Sequence, residues 1–139
     1  IIPMDADGQH LPGEIPRFLE EARRGEADLI VGNRMGDPKG MPLTRRLTNR
    51  LMSWLLSRLA GQKVPDTQCG FRILSRRLQE QVRLYCSHFE IDSELVVKPA
   101  QAGFRIRSIP VSSVYRRSLS FIRPFEDTIR FLRFLSFFE

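Results

Sequence analysis

The sequence predicts an α/β domain built on a mostly parallel sheet with helices packed against it. Three observations carry this reading. Short apolar and β-branched runs (IIPM, ADLIVGNRM, FRIL, FRIRSIPVSSVY) alternate with longer runs at helical spacing. Clusters of Gly and Pro separate them, as at GDPKGMP and QKVPDTQCG. The length, 139 residues with 42% hydrophobic content, is one domain's worth of chain and enough to enclose a core. Alternation of strand and helix then favours a parallel arrangement.

Each element follows in order. IIPM ends a buried strand, and DADGQHLPG is the loop after it. EIPRFLEEARRG places Ile15, Phe18, Leu19 and Ala22 on one helical face, and Gly25 supplies a stop. ADLIVGNRM is a short apolar strand ending in a polar turn. The longest helical pattern is LTRRLTNRLMSWLLSRLAG. Its Leu43, Leu47, Leu51, Trp54, Leu55 and Leu59 share one side, while Arg45, Arg46, Arg50 and Arg58 supply much of its charge. Gly61 ends it. FRIL is a short strand, and Ser75 is placed to cap a helix running to about Tyr85. DSELVVKPAQAG predicts another helix, starting near Asp92 or Ser93 and blemished by Pro99. FRIRSIPVSSVY alternates as a strand does, and FEDTIRFLRFLSFFE closes the chain as an amphipathic helix.

Composition narrows the partners. Twenty-two basic against 16 acidic residues give a net charge of +6, which favours phosphates, nucleotides or anionic membrane surfaces. Nucleic-acid motifs are absent, and the aromatics are not interleaved as a base-stacking platform. Two cysteines, Cys69 and Cys86, make no disulfide framework, and with His88 they lack zinc spacing. No apolar run reaches the roughly 18 residues of a membrane span, and a reduced, cytoplasmic setting is the expectation. The chain opens on Ile1, as though inside a strand, so residues 1–139 are expected to be a fragment, truncated in front and open to truncation behind, and inactive or poorly folded in isolation.

The first chemistry-bearing stretch is MDADGQH at 4–10. If strand geometry persists, Asp5 and Asp7 lie on one side. Two close carboxylates repel unless a cation or proton intervenes. A hard ion such as Mg²⁺ or Mn²⁺ takes oxygen ligands and completes its shell with substrate phosphates. In open α/β sheets that place is the carboxyl end of the strands. The plain alternative is a solvated turn.

The D-x-D tripeptide is followed by DLIVGNR, by arginines on a helix, and then by DTQCGFRILSRR, FEIDSEL, GFRIRSIPV and YRRSLS. This ordered set resembles family 2 glycosyltransferases, most closely the branch of dolichyl-phosphate mannosyltransferase and bacterial polyprenyl-phosphate glycosyltransferases. The likeness covers nearly the whole chain. It implies a GT-A, Rossmann-like fold, with residues 1–139 running from the D-x-D loop to a C-terminal amphipathic helix and the first nucleotide-binding strands missing. It also implies an inverting, metal-dependent transfer from a GDP- or UDP-sugar donor to a polyprenyl or dolichyl phosphate. Residue by residue, the resemblance gives Asp5, Asp7 and Gln9 to the metal (Mg²⁺ or Mn²⁺). Arg34 goes to the phosphates, with Asn33 replacing the family's small residue. Arg45 or Arg46 faces the acceptor phosphate, the helix register not choosing between them. Asp66, Gly70, Phe71 and Arg72 match the D-x-x-x-G-F-R element on the acceptor side. Glu94 matches a recurrent glutamate, and Asp92 sits near a catalytic base of the wider family.

Elementary chemistry bears on the acceptor. A departing diphosphate needs a cation and fixed positive groups. A sugar hydroxyl would also need a base such as Asp92 or Asp66. A polyprenyl phosphate is already ionised and needs arginines instead, which this chain has in abundance. The competing readings are transfer to a sugar or glycan hydroxyl, an inactive homologue, or a non-catalytic basic module on a membrane surface. The plain readings of single residues are also distinct: Arg45 and Arg46 as a solvated helix face, Asp66 as a turn former, Glu94 as a helix-start residue, His10 as a loop residue, Trp54 as core or interface packing. Phe131, Leu132, Leu135 and Phe138, with Arg130 and Arg133, would suit a membrane interface, pack on the missing front half of the domain, or lead into transmembrane helices, and the sequence does not choose among these. Oligomeric state is not readable from the sequence.

Overall fold

A computed structural model describes residues 1–5, 8–86 and 90–112. The expected final helix at 125–139, and the end of the strand predicted over 104–115, lie outside them. A single 3₁₀ turn, Pro12–Glu14, leads into α1 (Ile15–Arg23). There follow β1 (Leu29–Asn33), α2 (Leu43–Ala60), β2 (Arg72–Leu74), α3 (Arg76–Gln81), α4 (Glu90–Gln101) and β3 (Ile106–Pro110). The fold is α/β, as expected.

The sheet runs β2-β1-β3. β1 pairs in parallel with β3, Leu29 opposite Ile106, and antiparallel with β2, Leu29 opposite Leu74. The described sheet is therefore mixed. IIPM is extended but not a full strand: Arg72 N–H donates to Pro3 O and Leu74 N–H to Ile1 O, so it flanks β2. Pro3 has no N–H to return to the ladder, which limits its pairing.

β1 is central and buried along nearly its whole length, which explains its unbroken LIV run. The core gathers Leu29, Ile30, Val31, Val64, Phe71, Val96 and Phe104. Phe18 of α1 stacks on Phe71 at 4.1 Å between ring centroids. Ser75 caps α3 as expected, its side chain accepting Leu78 N–H at 3.1 Å, but the helix stops at Gln81 rather than near Tyr85. Pro99 sits inside α4 without ending it. Gly61, at φ +63°, closes α2 in the left-handed conformation that glycine adopts without strain.

Helix α2 divides its leucine side: Leu55 and Leu59 are half-buried, while the earlier turns face outward. Leu43, Leu47, Leu51 and Trp54 are 67, 56, 59 and 57% exposed. The buried face is Asn49, Ser53, Leu56 and Ala60. The reason is hydrogen bonding. The 64–67 loop brings polar groups against the helix, and buried polar groups must be paired, so the side that can pair them turns inward.

Candidate active site

Three segments meet at the end of β1. Arg34 directly follows the strand, the 66–72 loop leads into β2, and the 1–5 segment runs beside β2. Arg34 and Asp66 are both buried, at 4 and 0% exposure. Asp66 Oδ2 accepts the Arg34 backbone N–H at 3.0 Å and Nε–H at 2.7 Å, and Oδ1 accepts Nη2–H at 2.9 Å. A fourth donor, Asn49 Nδ2 of α2, reaches Oδ1 at 2.8 Å. Burial alone would push the Asp66 carboxyl up, but the Arg34 and Asn49 bonds and the Arg34 charge outweigh it and hold it below the usual range.

Arg72 is equally enclosed. Nε–H donates to Cys69 O at 2.8 Å, Nη2–H to Thr67 O at 2.8 Å, and Nη1–H to Asp92 O at 3.0 Å. Nη2 also lies 3.0 Å from Asp92 Oδ1. This arginine ties the loop to the first turn of α4 and aims the Asp92 carboxylate. Burial pushes the Asp92 carboxyl above its ordinary value, the Arg72 charge opposes that, and the Asp5 carboxylate nearby pushes the same way as burial.

Asp5 lies at the open side of this group, its side chain 57% exposed and 3.5 Å from His10 Nε2. The His10 hydrogen bond pulls its carboxyl below the usual range against partial burial, helped by the charges of His10, Arg34 and Arg72. Asp5, Arg34, Asp66, Arg72 and Asp92 are thus one electrostatic cluster. His10, expected to be a loop residue, is buried and packs on Phe71 at 5.5 Å. Gly70 explains itself here. A Cβ built on it would collide with the Asp5 carboxylate, so the loop accepts Asp5 because residue 70 has no side chain.

Other expected site residues take different places. Gln9 is buried beside His10, and Asp7 lies outside the described residues. Arg45 and Arg46 are half-buried in the first turn of α2, and helical spacing places them on either side of the face that carries Asn49 and Ser53, so it does not choose between them. The Arg46 Nε is buried without a hydrogen-bond partner among the described residues. Glu94 faces elsewhere. Its carboxylate accepts the N–H groups of Tyr85 and Cys86 at 2.8–3.0 Å and pairs with Lys98 at 2.5 Å. The geometry it shows is that of a clamp on the chain after α3. Cys69 is buried, which pushes its thiol up to about 11, so it stays protonated and unreactive.

As to a metal, no three carboxylate, imidazole or thiol groups converge among the described residues. Of the donors expected to hold it, the Asp5 carboxylate is described: its carboxyl is held below the usual range and it is open to one side, the kind of oxygen ligand that a hard cation takes.

The sequence of residues 1–83, more than half the chain, matches the model of glycosyl transferase family 2. The chain belongs to that family. Among relatives of this glycosyltransferase domain is the UDP-N-acetylglucosamine–dolichyl-phosphate N-acetylglucosaminyltransferase of Methanococcus voltae, 31% identical over 121 residues, 82% of this chain and 47% of the relative. The polyprenol monophosphomannose synthase of Mycolicibacterium smegmatis is 29% identical over 126 residues, 84% of this chain and 46% of its own. The dodecaprenyl-phosphate galacturonate synthase of Rhizobium johnstonii is 34% identical over 84 residues, 60% of this chain and 25% of its own. The chain spans about half the length, or less, of these relatives.

Proposed function

We propose that this glycosyltransferase domain moves a sugar, with inversion, from a nucleotide-sugar donor to the phosphate of a polyprenyl or dolichyl lipid. The observation that carries this reading is the buried Arg34–Asp66 pair. It takes the aspartate out of service as a base, since Asp66 is fully enclosed and already accepts four hydrogen bonds. A phosphate acceptor is already ionised and needs no such base. The three relatives' names share a polyprenyl-type lipid phosphate and differ in the sugar, so the donor's sugar and nucleotide stay open.

Asp5, Asp7 and Gln9 are the residues that would hold Mg²⁺ or Mn²⁺. The ion, when bound, would neutralise charge on the donor's diphosphate. Arg34 orients phosphate oxygens, and Arg45 or Arg46 adds a donor from the first turn of α2. Arg72 positions Asp92 and the Thr67–Cys69 backbone. Glu94 supports the fold rather than the substrate.

A membrane surface is the natural place for such an acceptor. Helix α2 supports that placement: its outer side carries Leu43, Leu47, Leu51 and Trp54, it has Arg45, Arg46, Arg50 and Arg58, and it has no acidic residue. That combination complements an anionic bilayer interface. No described helix is long and apolar enough to cross a membrane.

A second reading has its own observation. Asp92 is partly exposed, with its carboxyl pushed up, as suits a base for a hydroxyl acceptor. The two are separated by incubating the natural full-length chain with UDP-GlcNAc, GDP-mannose or UDP-glucose, Mn²⁺, and either a short polyprenyl phosphate or a free glycan. Label is expected in the lipid phase, with an inverted anomer by NMR. Label in the glycan alone would overturn the leading reading.

A further inference from the structure

The inward side of α2 is a ladder of three polar residues four apart, Asn49, Ser53 and Ser57. Each rung holds one point of the 64–67 loop. Ser57 Oγ accepts Val64 N–H at 2.9 Å. Ser53 Oγ accepts Thr67 N–H at 3.0 Å and donates to Asn49 Oδ1 at 3.0 Å. Asn49 Nδ2 donates to Asp66 Oδ1 at 2.8 Å. Two rungs end on backbone. Only Asn49 ends on a charged group, and that group is the one gripping Arg34.

We propose that Asn49 is a positioning residue that acts through Asp66 to fix the Arg34 guanidinium, a role resting on the reading of Arg34 as a phosphate-facing residue. The torsion that turns a carboxylate about its own axis is soft and two-fold. Oδ2 is held by two donors of Arg34, both from one residue, and Oδ1 by Nη2. All three move with Arg34. Asn49 is the one donor anchored on a different element, so it ties the Arg34–Asp66 unit to α2. A carboxylate only accepts, so Asn49 must turn its NH₂ to Asp66 and its oxygen to Ser53. The Ser53 hydroxyl is placed to take that oxygen. The whole assembly is buried, where such bonds are strongest and an unmade one is costliest.

Ser57 provides the comparison. It is a rung of the same helix, bonded to the same loop, with no path to Asp66. In the natural full-length chain, Asn49→Ala, Ser57→Ala, Arg34→Ala and the Asn49→Ala/Arg34→Ala pair are compared by Tm and by acceptor KM and kcat. The ¹⁵N-edited exchange rate of the Arg34 Nε–H is measured beside them. Both single ladder variants are expected to lower Tm. Only Asn49→Ala is expected to cut kcat/KM for the lipid phosphate tenfold or more and to speed Nε–H exchange. The double variant should be no slower than Arg34→Ala alone. Parallel losses in Asn49→Ala and Ser57→Ala, or additive losses in the double variant, would overturn the proposal. If Asn49→Ala does not fold, Asn49→Ser gives the same contrast, with a shorter side chain that cannot reach Asp66. Undiminished turnover in Arg34→Ala would remove the phosphate role of Arg34 itself, while the Nε–H exchange would still decide whether Asn49 fixes it.

Discussion

The Asp5 carboxylate occupies the space that a Cβ on Gly70 would fill, and the two residues come from different segments that meet only in the folded chain. Gly70→Ala therefore has to expel Asp5 or push the loop aside. We expect Mn²⁺ affinity, read by calorimetry, to fall at least tenfold, with a stability loss of about 1–3 kcal/mol from overpacking. Gly13→Ala is the control, since nothing lies within 4 Å of a Cβ there and its φ is ordinary. Equal Mn²⁺ affinity in Gly70→Ala and the unaltered chain would contradict the seat.

The buried Arg34–Asp66 pair should behave as a unit in stability. Asp66→Asn leaves a buried guanidinium without its counter-charge and should cost about 3–5 kcal/mol. Replacing both with apolar residues of similar size, Arg34→Met with Asp66→Leu, should recover much of that loss in urea unfolding while leaving turnover abolished. A double variant as unstable as Asp66→Asn alone would show that charge compensation is not what the pair provides.

Exposed leucines on α2 can be exchanged without cost to the core. Leu47→Glu with Leu51→Glu should leave Tm unchanged and weaken sedimentation with anionic phosphatidylglycerol vesicles. Losing about 1.5 kcal/mol of apolar burial per leucine predicts roughly tenfold for each. Unchanged vesicle binding, or a collapse of Tm, would refute the outward assignment.

Glu94 gives the acid limb of stability. Burial pushes its carboxyl up, but Lys98 and the N–H groups of Cys86 and Tyr85 pull it further, to a value below that of an unfolded glutamate. A lowered folded value stabilises above the unfolded value and is lost as pH falls through the folded one. Stability from Glu94 is therefore complete near neutrality and fades below about pH 4. Glu94→Gln should be less stable at pH 7 by about 1–3 kcal/mol, with the two curves converging on acidification. A constant gap across that range would show that the ionised form is not the one bound.

Much of the domain was legible in the chain alone. The strand DLIVGN reads as buried because its apolar run has no polar interruption, and β1 is indeed central. Ser75 announces α3, and Gly61 ends α2, because capping chemistry is local. Family membership followed from ordered motifs. The site was legible only in part. Asp66 and Arg72 stood out as residues of a motif, but whether a charged group meets substrate or another side chain depends on what is opposite it. His10 stood in the MDADGQH stretch but read as a loop residue, and Asn49 carried no distinguishing signal apart from the four-residue spacing of Asn49, Ser53 and Ser57 inside a leucine-rich helix.

The sequence by itself determined the class of fold, the order of its elements and the family. The tertiary structure decided which side of α2 is buried and how Arg34, Asp66, Arg72 and Asp92 are shared. The physical reason is that periodicity shows only that a helix has an apolar side, not what lies against it. A loop rich in polar groups drew the Asn49–Ser53–Ser57 side inward, since unpaired buried groups cost more than exposed leucines.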